Sequence, residues 1–130
     1  MDVLFVEDNE MNRRILKGML DVAGLNMDEA PEAETGLRMI EEHDYDLILM
    51  DLRMPGMDGL TAIRQIRARQ DPKAKIPVIV VTADSSSSIR EDCLAAGADE
   101  VVLKPVSMEL LFDAIGRLVV SPDLNGTILG

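Results

Sequence analysis

The sequence predicts an α/β domain, doubly wound, with a five-stranded parallel sheet and helices on both faces, and three observations predict it. Short β-branched or leucine-rich apolar runs alternate with stretches of helical spacing, the pattern of βα units around a parallel sheet. Four of the runs stop at polar residues, in the position where α/β proteins place their chemistry. The 130 residues suffice for one well-buried core and are too few for two comfortable ones.

The first strand, Val3-Leu4-Phe5-Val6, runs into Glu7-Asp8. Met11, Ile15, Leu16, Met19 and Leu20 then recur at the spacing of one helix face, and Gly24 stops that helix as a C′ residue. The second strand, around Asn26-Met27-Asp28-Glu29, has the faintest pattern. A second helix from about Ala33 to Glu42 turns Leu37 and Ile40 inward. Leu47-Ile48-Leu49-Met50 is the third strand, closed by Asp51 and the turn-rich stretch Leu52-Arg53-Met54-Pro55-Gly56-Met57-Asp58-Gly59. The third helix, from about Leu60 to Arg69, puts Leu60, Ile63 and Ile66 on one side. Asp71-Pro72-Lys73 breaks the chain before the fourth strand, Val78-Ile79-Val80-Val81, which ends at Thr82. Serines are natural N-caps, so the fourth helix starts within Ser85 to Ser88 and runs through Ile89, Cys93 and Leu94 to Gly97. Val101-Val102-Leu103 is the fifth strand and delivers Lys104-Pro105. The last helix starts near Ser107 and is expected to bury Leu110, Leu111, Ala114, Ile115, Leu118 and Val119. Residues 1–120 form the expected domain, and 121–130 lose periodicity and read as a tail or linker.

A formal net charge of -11 makes the surface repel nucleic acid and anionic lipid, so proteins or cations are the expected partners. The single cysteine, Cys93, excludes an intrachain disulfide, and its inward helical position reads as core rather than redox sensor. No apolar run approaches the roughly 20 residues of a membrane span. The first residues lack the basic and apolar regions of a signal peptide, so the cytoplasm is the expected location, without membrane insertion. Nine methionines and three aromatics imply a core of aliphatic and thioether side chains. His43, within Glu41-Glu42-His43-Asp44, reads as a surface residue.

In the flavodoxin-like strand order 2-1-3-4-5, the first and third strands are neighbours, and Asp8 and Asp51 meet at the topological switch point. Glu7 would share their pocket. Two like charges about 4 Å apart interact by on the order of 4 kcal/mol at an effective dielectric of 20, so crowded carboxylates resist full ionisation. A divalent cation relieves that repulsion, and Mg2+ suits an oxygen-only site because it keeps waters and accepts a phosphate oxygen. Carboxylates also accept phosphoryl groups as aspartyl phosphates. Phosphoryl transfer needs chiefly positioning and neutralisation of the transferred oxygens, for which a metal, a lysine and a hydroxyl are suitable companions. Taken singly, Asp51 reads as a turn or cap residue, Glu7-Asp8 as an N-cap pair, Thr82 as a strand threonine and Lys104 as a solvated lysine. Their joint occurrence at strand ends favours a site.

Over about Val3 to Val119 the sequence resembles the receiver domain of two-component response regulators. The resemblance is carried by Glu7-Asp8, by Asp51 in its strand-turn segment to Gly59, by Val81-Thr82-Ala83 and by Lys104-Pro105. It implies that Asp51 is the phosphoacceptor for a histidine of a histidine kinase or histidine phosphotransfer protein. It implies that Asp8 ligates Mg2+ directly, Glu7 directly or through water, and Arg53 through its main-chain carbonyl. Thr82 would be the switch hydroxyl, Lys104 would pair with a phosphoryl oxygen, Lys104-Pro105 would be a cis peptide, and Ala83 would leave room for the donor. The implied function is a phosphorylation-dependent receiver that switches contacts with a downstream protein, its catalysis limited to gaining and slowly losing the phosphoryl group.

Receivers commonly carry an aromatic three residues before the lysine, where this chain has Val101. Coupling to the face of helix four, strand five and helix five would then use another route, such as a shift of helix four. Asn9-Glu10-Met11-Asn12-Arg13 opens helix one as in receivers of phosphorelays and hybrid kinases. Arg53 and Asp84, each two residues beyond Asp51 and Thr82, are expected to pair and to gate hydrolysis. Arg53 also stands where a haloacid-dehalogenase-like phosphatase would want a second aspartate, and Glu7-Asp8-Asn9-Glu10 would repel the phosphate of a flavodoxin-like cofactor binder. The remaining alternative is a receiver-like binding module not regulated by phosphorylation, against which the intact acids argue.

Overall fold

The computed structural model describes residues 1–119. The expected tail at 121–130 lies outside them. In chain order the elements are β1 (Asp2–Val6), α1 (Glu10–Val22), β2 (Asn26–Ala30), α2 (Ala33–Glu42), β3 (Leu47–Met50), α3 (Gly59–Arg67), β4 (Val78–Thr82), α4 (Ile89–Ala96), β5 (Glu100–Leu103) and α5 (Met108–Leu118). A 3-10 turn at Pro72–Lys75 precedes β4, where a chain break was expected. All strand pairs are parallel, and their order is 2-1-3-4-5, as expected.

Alternation along the three inner strands divides the core in two. Val3, Phe5, Leu47, Leu49, Ile79 and Val81 face Leu16 and Leu20 of α1 and Leu111, Ala114 and Ile115 of α5. Leu4, Val6, Ile48, Met50, Val78 and Val80 face Ala33 and Ile40 of α2, Ala62, Ile63 and Ile66 of α3, and Cys93 and Ala96 of α4. Each Leu or Ile so buried contributes roughly 1.5–3 kcal/mol. β2 is an edge strand that buries only Met27 and Ala30, which accounts for its faint pattern.

Three inward expectations are corrected. Met11 and Ile15 on α1 are 60% and 51% exposed, and Leu110 on α5 is 62% exposed. Two helices share one face of the sheet, so each buries a narrow stripe, Leu16 and Leu20 on α1 and Leu111, Ala114 and Ile115 on α5. Their flanking apolar residues stay in solvent.

The helix ends follow local chemistry. Asn9, Asp58 and Ser107 cap α1, α3 and α5 by accepting the N–H of Asn12, Thr61 and Leu110. Gly24 adopts φ 75° after α1, and the Leu25 N–H returns to the Leu20 carbonyl. The α4 N-cap, Ser88, makes no side-chain capping bond. At the other end of α4, Gly97 has φ 116° and its carbonyl accepts Arg67 Nε at 2.8 Å. Arg67 also donates to the carbonyls of Ala74 and Ile76 and to the Asp99 carboxylate, tying α3 to the approach to β4 and the start of β5.

Candidate functional site

Sheet hydrogen bonding continues one residue beyond several strands and thereby sets the site. The Glu7 N–H donates to the Ala30 carbonyl at 2.9 Å, Asp51 to Val6 at 3.0 Å, and Lys104 to Thr82 at 2.8 Å. Three of the expected site residues are thus carried on ladder positions at the C-terminal end of the sheet. They line a cleft of about 530 Å³ together with Asp8, Asn12, Arg53, Thr82, Ala83 and Asp84.

Every residue expected in the site lies at this cleft. Carboxylate oxygens of Glu7, Asp8 and Asp51 lie within 4.8 Å of one another. Glu7 and Asp51 are buried, as is Thr82. Lys104 Nζ lies 2.6 Å from Glu7 Oε1 and 3.4 Å from Asp51 Oδ1, so one ammonium serves both. Asp51 Oδ1 also accepts the Leu52 N–H at 2.9 Å. The Thr82 hydroxyl accepts the Asp84 N–H at 3.1 Å, which leaves its own proton available to an acceptor in the cleft. Lys104-Pro105 is cis, as expected. Arg53 and Asp84 approach to 3.6 Å.

The electrostatics are those of an acid-rich site in which one ammonium faces the three clustered carboxylates, while Arg53 pairs with Asp84 at the same cleft. Burial, a hydrogen bond with Glu7 and the Glu7 charge hold the Asp8 carboxyl above its ordinary value, against the opposing pull of its own N–H and Lys104. Burial disfavours the Lys104 ammonium, yet its bond to Glu7 and the charges of Asp51 and Glu7 prevail and raise its pKa. Three crowded carboxylates against a single ammonium, with oxygen donors only, fit a hard divalent cation such as magnesium.

Three further residues shape the site: Asn12 and Arg13, which the sequence marked only as a sub-family pattern opening helix one, and Gly59, which it marked only as the end of the Asp51 segment. Asn12 Nδ2 donates to Glu7 Oε1 at 3.1 Å, and Arg13 Nη1 to the Glu7 carbonyl at 2.7 Å. Both project from the first turn of α1. A Cβ on Gly59 would lie 2.2 Å from the Asp51 carbonyl oxygen, so only glycine lets α3 start against that peptide. Its signal was visible, a glycine beside the N-cap Asp58, but its neighbour was not.

The model of the response regulator receiver domain matches residues 3–116. The chain belongs to this family. The receiver is 36% identical over 119 residues to hybrid signal transduction histidine kinase G of Dictyostelium discoideum, a match covering 90% of this chain and 4% of that protein. The receiver domain of a sensor histidine kinase from Pseudomonas aeruginosa PAO1, solved with magnesium in its active-site cleft, superimposes with a TM-score of 0.84 at 34% identity, over 92% of this chain and 98% of the other. The receiver domain of Saccharomyces cerevisiae Ssk1, solved with the histidine phosphotransfer protein Ypd1, gives a TM-score of 0.82 at 26% identity, over 92% of this chain and 88% of that one. Receivers of this kind occur in hybrid kinases and phosphorelay proteins, and the role of the fold is signalling. Among the described residues, no helix is long and apolar enough to cross a membrane.

Proposed function

We propose that this receiver accepts a phosphoryl group on Asp51 from a phosphohistidine of a histidine kinase or phosphotransfer protein, and that the change switches its contacts with a downstream protein. The observation that carries the reading is the gathering of Glu7, Asp8 and Asp51 with Lys104 and Thr82 in one cleft. In the transfer, an Asp51 oxygen forms the new bond to phosphorus while the nitrogen–phosphorus bond of the donor breaks and its electron pair returns to the imidazole. Lys104 pairs with one phosphoryl oxygen, and Thr82 donates its hydroxyl proton to another. Asp8, Glu7, Asp51 and the Arg53 carbonyl would hold magnesium. When bound, the ion neutralises charge on the carboxylates and the transferred oxygens. Loss of the group is a separate, slow hydrolysis: water attacks phosphorus, the bond to the Asp51 oxygen breaks, inorganic phosphate leaves and the carboxylate is restored, with Arg53 and Asp84 beside the approach of water.

A helical donor is supported by the rim of the cleft. Exposed Met11 and Ile15 stand on α1, and Ile15 shares a small apolar crevice with Pro105 and Val106. This is apolar area beside the acceptor, where a partner presenting a phosphohistidine would bury it. Such a donor sets the cytoplasm as the working compartment.

Acetyl phosphate labelling, read by intact mass with and without magnesium, tests the reading. One phosphoryl group gained only with magnesium, and lost in Asp51→Asn, is the expected result. If wild-type protein binds magnesium but takes no label from acetyl phosphate or from a panel of histidine kinases, it is a binding module not regulated by phosphorylation.

A further inference from the structure

Glu7 is held by more donors than the carboxylates beside it. Its Oε1 accepts both Lys104 Nζ at 2.6 Å and Asn12 Nδ2 at 3.1 Å, and its Oε2 accepts the Asn9 N–H at 3.4 Å. At 1% exposure it has almost no access to water. Lys104, its strongest partner, is 0.8 Å closer to Glu7 than to Asp51, from 2.6 and 3.4 Å. A phosphoryl group on Asp51 would add charged oxygens on that side and draw the ammonium toward them. Glu7 would then keep the bound cation and the long Asn9 N–H bond to Oε2, but its buried Oε1 would lose its main protein donor, which is disfavoured unless another donor remains.

We propose that Asn12 is a positioning residue that keeps the Glu7 carboxylate in place while Lys104 passes from Glu7 to the phosphoryl oxygens; this rests on the aspartyl-phosphate reading of Asp51. The amide suits the task because it donates without adding charge. A cation at position 12 would neutralise Glu7 permanently and compete with a divalent ion, and an aspartate would add another repelling carboxylate. Asn12 is itself anchored through its backbone and sits beside a second anchor. Its N–H bonds to the Asn9 cap at 2.9 Å, and the neighbouring Arg13 locks the Glu7 carbonyl at 2.7 Å while pairing with Glu29 at 3.1 Å. The carboxylate therefore pivots between two donors of different mobility: a flexible ammonium that can leave and a helix-borne amide that stays.

The experiment compares wild type, Asn12→Leu, which keeps the volume and removes the donor, and Asn12→Gln, which returns an amide. Calorimetric titration gives the affinity for magnesium alone and then for beryllofluoride, a phosphoryl mimic, at saturating magnesium. Urea unfolding establishes that each variant is folded. Asn12→Leu should weaken beryllofluoride binding about tenfold or more, the scale of one hydrogen bond to a charged acceptor, and move magnesium affinity by less than about threefold. Asn12→Gln should recover part of the loss. In wild type, the Asn12 side-chain amide resonances should move at the beryllofluoride step as well as at the magnesium step. Equal loss of both affinities, no loss of either, or amide resonances that ignore beryllofluoride would overturn the proposal. If wild type itself fails to bind beryllofluoride, the aspartyl-phosphate reading has failed, a result visible before any variant is compared.

Discussion

Gly59 is the residue on which the backbone of Asp51 rests. Any side chain there meets the Asp51 carbonyl oxygen at 2.2 Å and the Leu52 Cα at 2.9 Å, both backbone atoms that cannot swing aside. Gly59→Ala should lower stability by about 1–3 kcal/mol in urea unfolding, the usual cost of overpacking, and slow labelling of Asp51 in the folded fraction. Unaltered stability would mean that α3 starts farther from β3 than these distances allow. The Arg53–Asp84 pair acts more weakly. Arg53 is 85% exposed, and Asp84 is held below its ordinary value first by the Ser86 N–H and only secondarily by Arg53. Its contribution to stability is therefore small, as for any solvent-screened surface pair. Asp84→Ala and Arg53→Ala should leave the unfolding midpoint nearly unchanged yet alter the dephosphorylation rate by about threefold. Identical decay rates in wild type and both variants would exclude a gate.

At the scale of elements, the cap of α3 makes a pH-dependent contribution. The Thr61 N–H bond holds the Asp58 carboxyl below the ordinary 3.8, with help from Arg64 against some desolvation. A depressed carboxyl pKa gives stability that is present above the unfolded value and lost as pH falls through the folded one. Asp58→Asn should keep the cap and flatten the part of the acid limb that belongs to this group, whereas Asp58→Ala should cost about 1 kcal/mol at neutral pH. Urea titrations from pH 2 to pH 7 separate the two, and an undiminished acid limb in Asp58→Asn would remove Asp58 from its causes. The inner strands were legible because Val3–Val6, Leu47–Met50 and Val78–Val81 are covered on both faces and end in polar residues. The face of α1 was half legible. Periodicity shows that Met11, Ile15, Leu16 and Leu20 share a side, but not how much of that side a sheet shared with α5 can cover. The bond from Asn12 to Glu7 was illegible, since it depends on how closely the first turn of α1 folds back over the end of β1.

For the whole molecule, the site concentrates negative charge in a protein already at a net -11, so a bound cation should stabilise the fold globally. If only the folded chain binds, magnesium at about 100 times its dissociation constant adds about 2.7 kcal/mol, and Asp8→Asn should abolish most of that gain in urea unfolding. A gain that persists in Asp8→Asn would place the ion elsewhere. The pH dependence has a defined sign. Without metal, the raised Asp8 pKa means that the folded chain binds this proton more tightly. The associated stability is present below the unfolded value and lost as pH rises through the folded one. With metal, protons compete for the same oxygens, so the magnesium gain should begin to fade at a higher pH than an ordinary aspartate would cause.

The staple made by Arg67 would make any shift of α4 resemble the swing of a door. Its C-terminal end is fastened through the Gly97 carbonyl, while the opposite end, after Ser88, lacks a side-chain cap and leads directly back to Thr82. A helix of eight residues is about 12 Å long, so a turn of about 10° around the fastened end displaces the free end by about 2 Å and the hinge hardly at all. Arg90, in the first turn, rides on the swinging edge and is latched to Glu100, which Arg117 of α5 also grips. With Val101 too small to act as an aromatic bolt, a tug on Thr82 would be felt first at that latch.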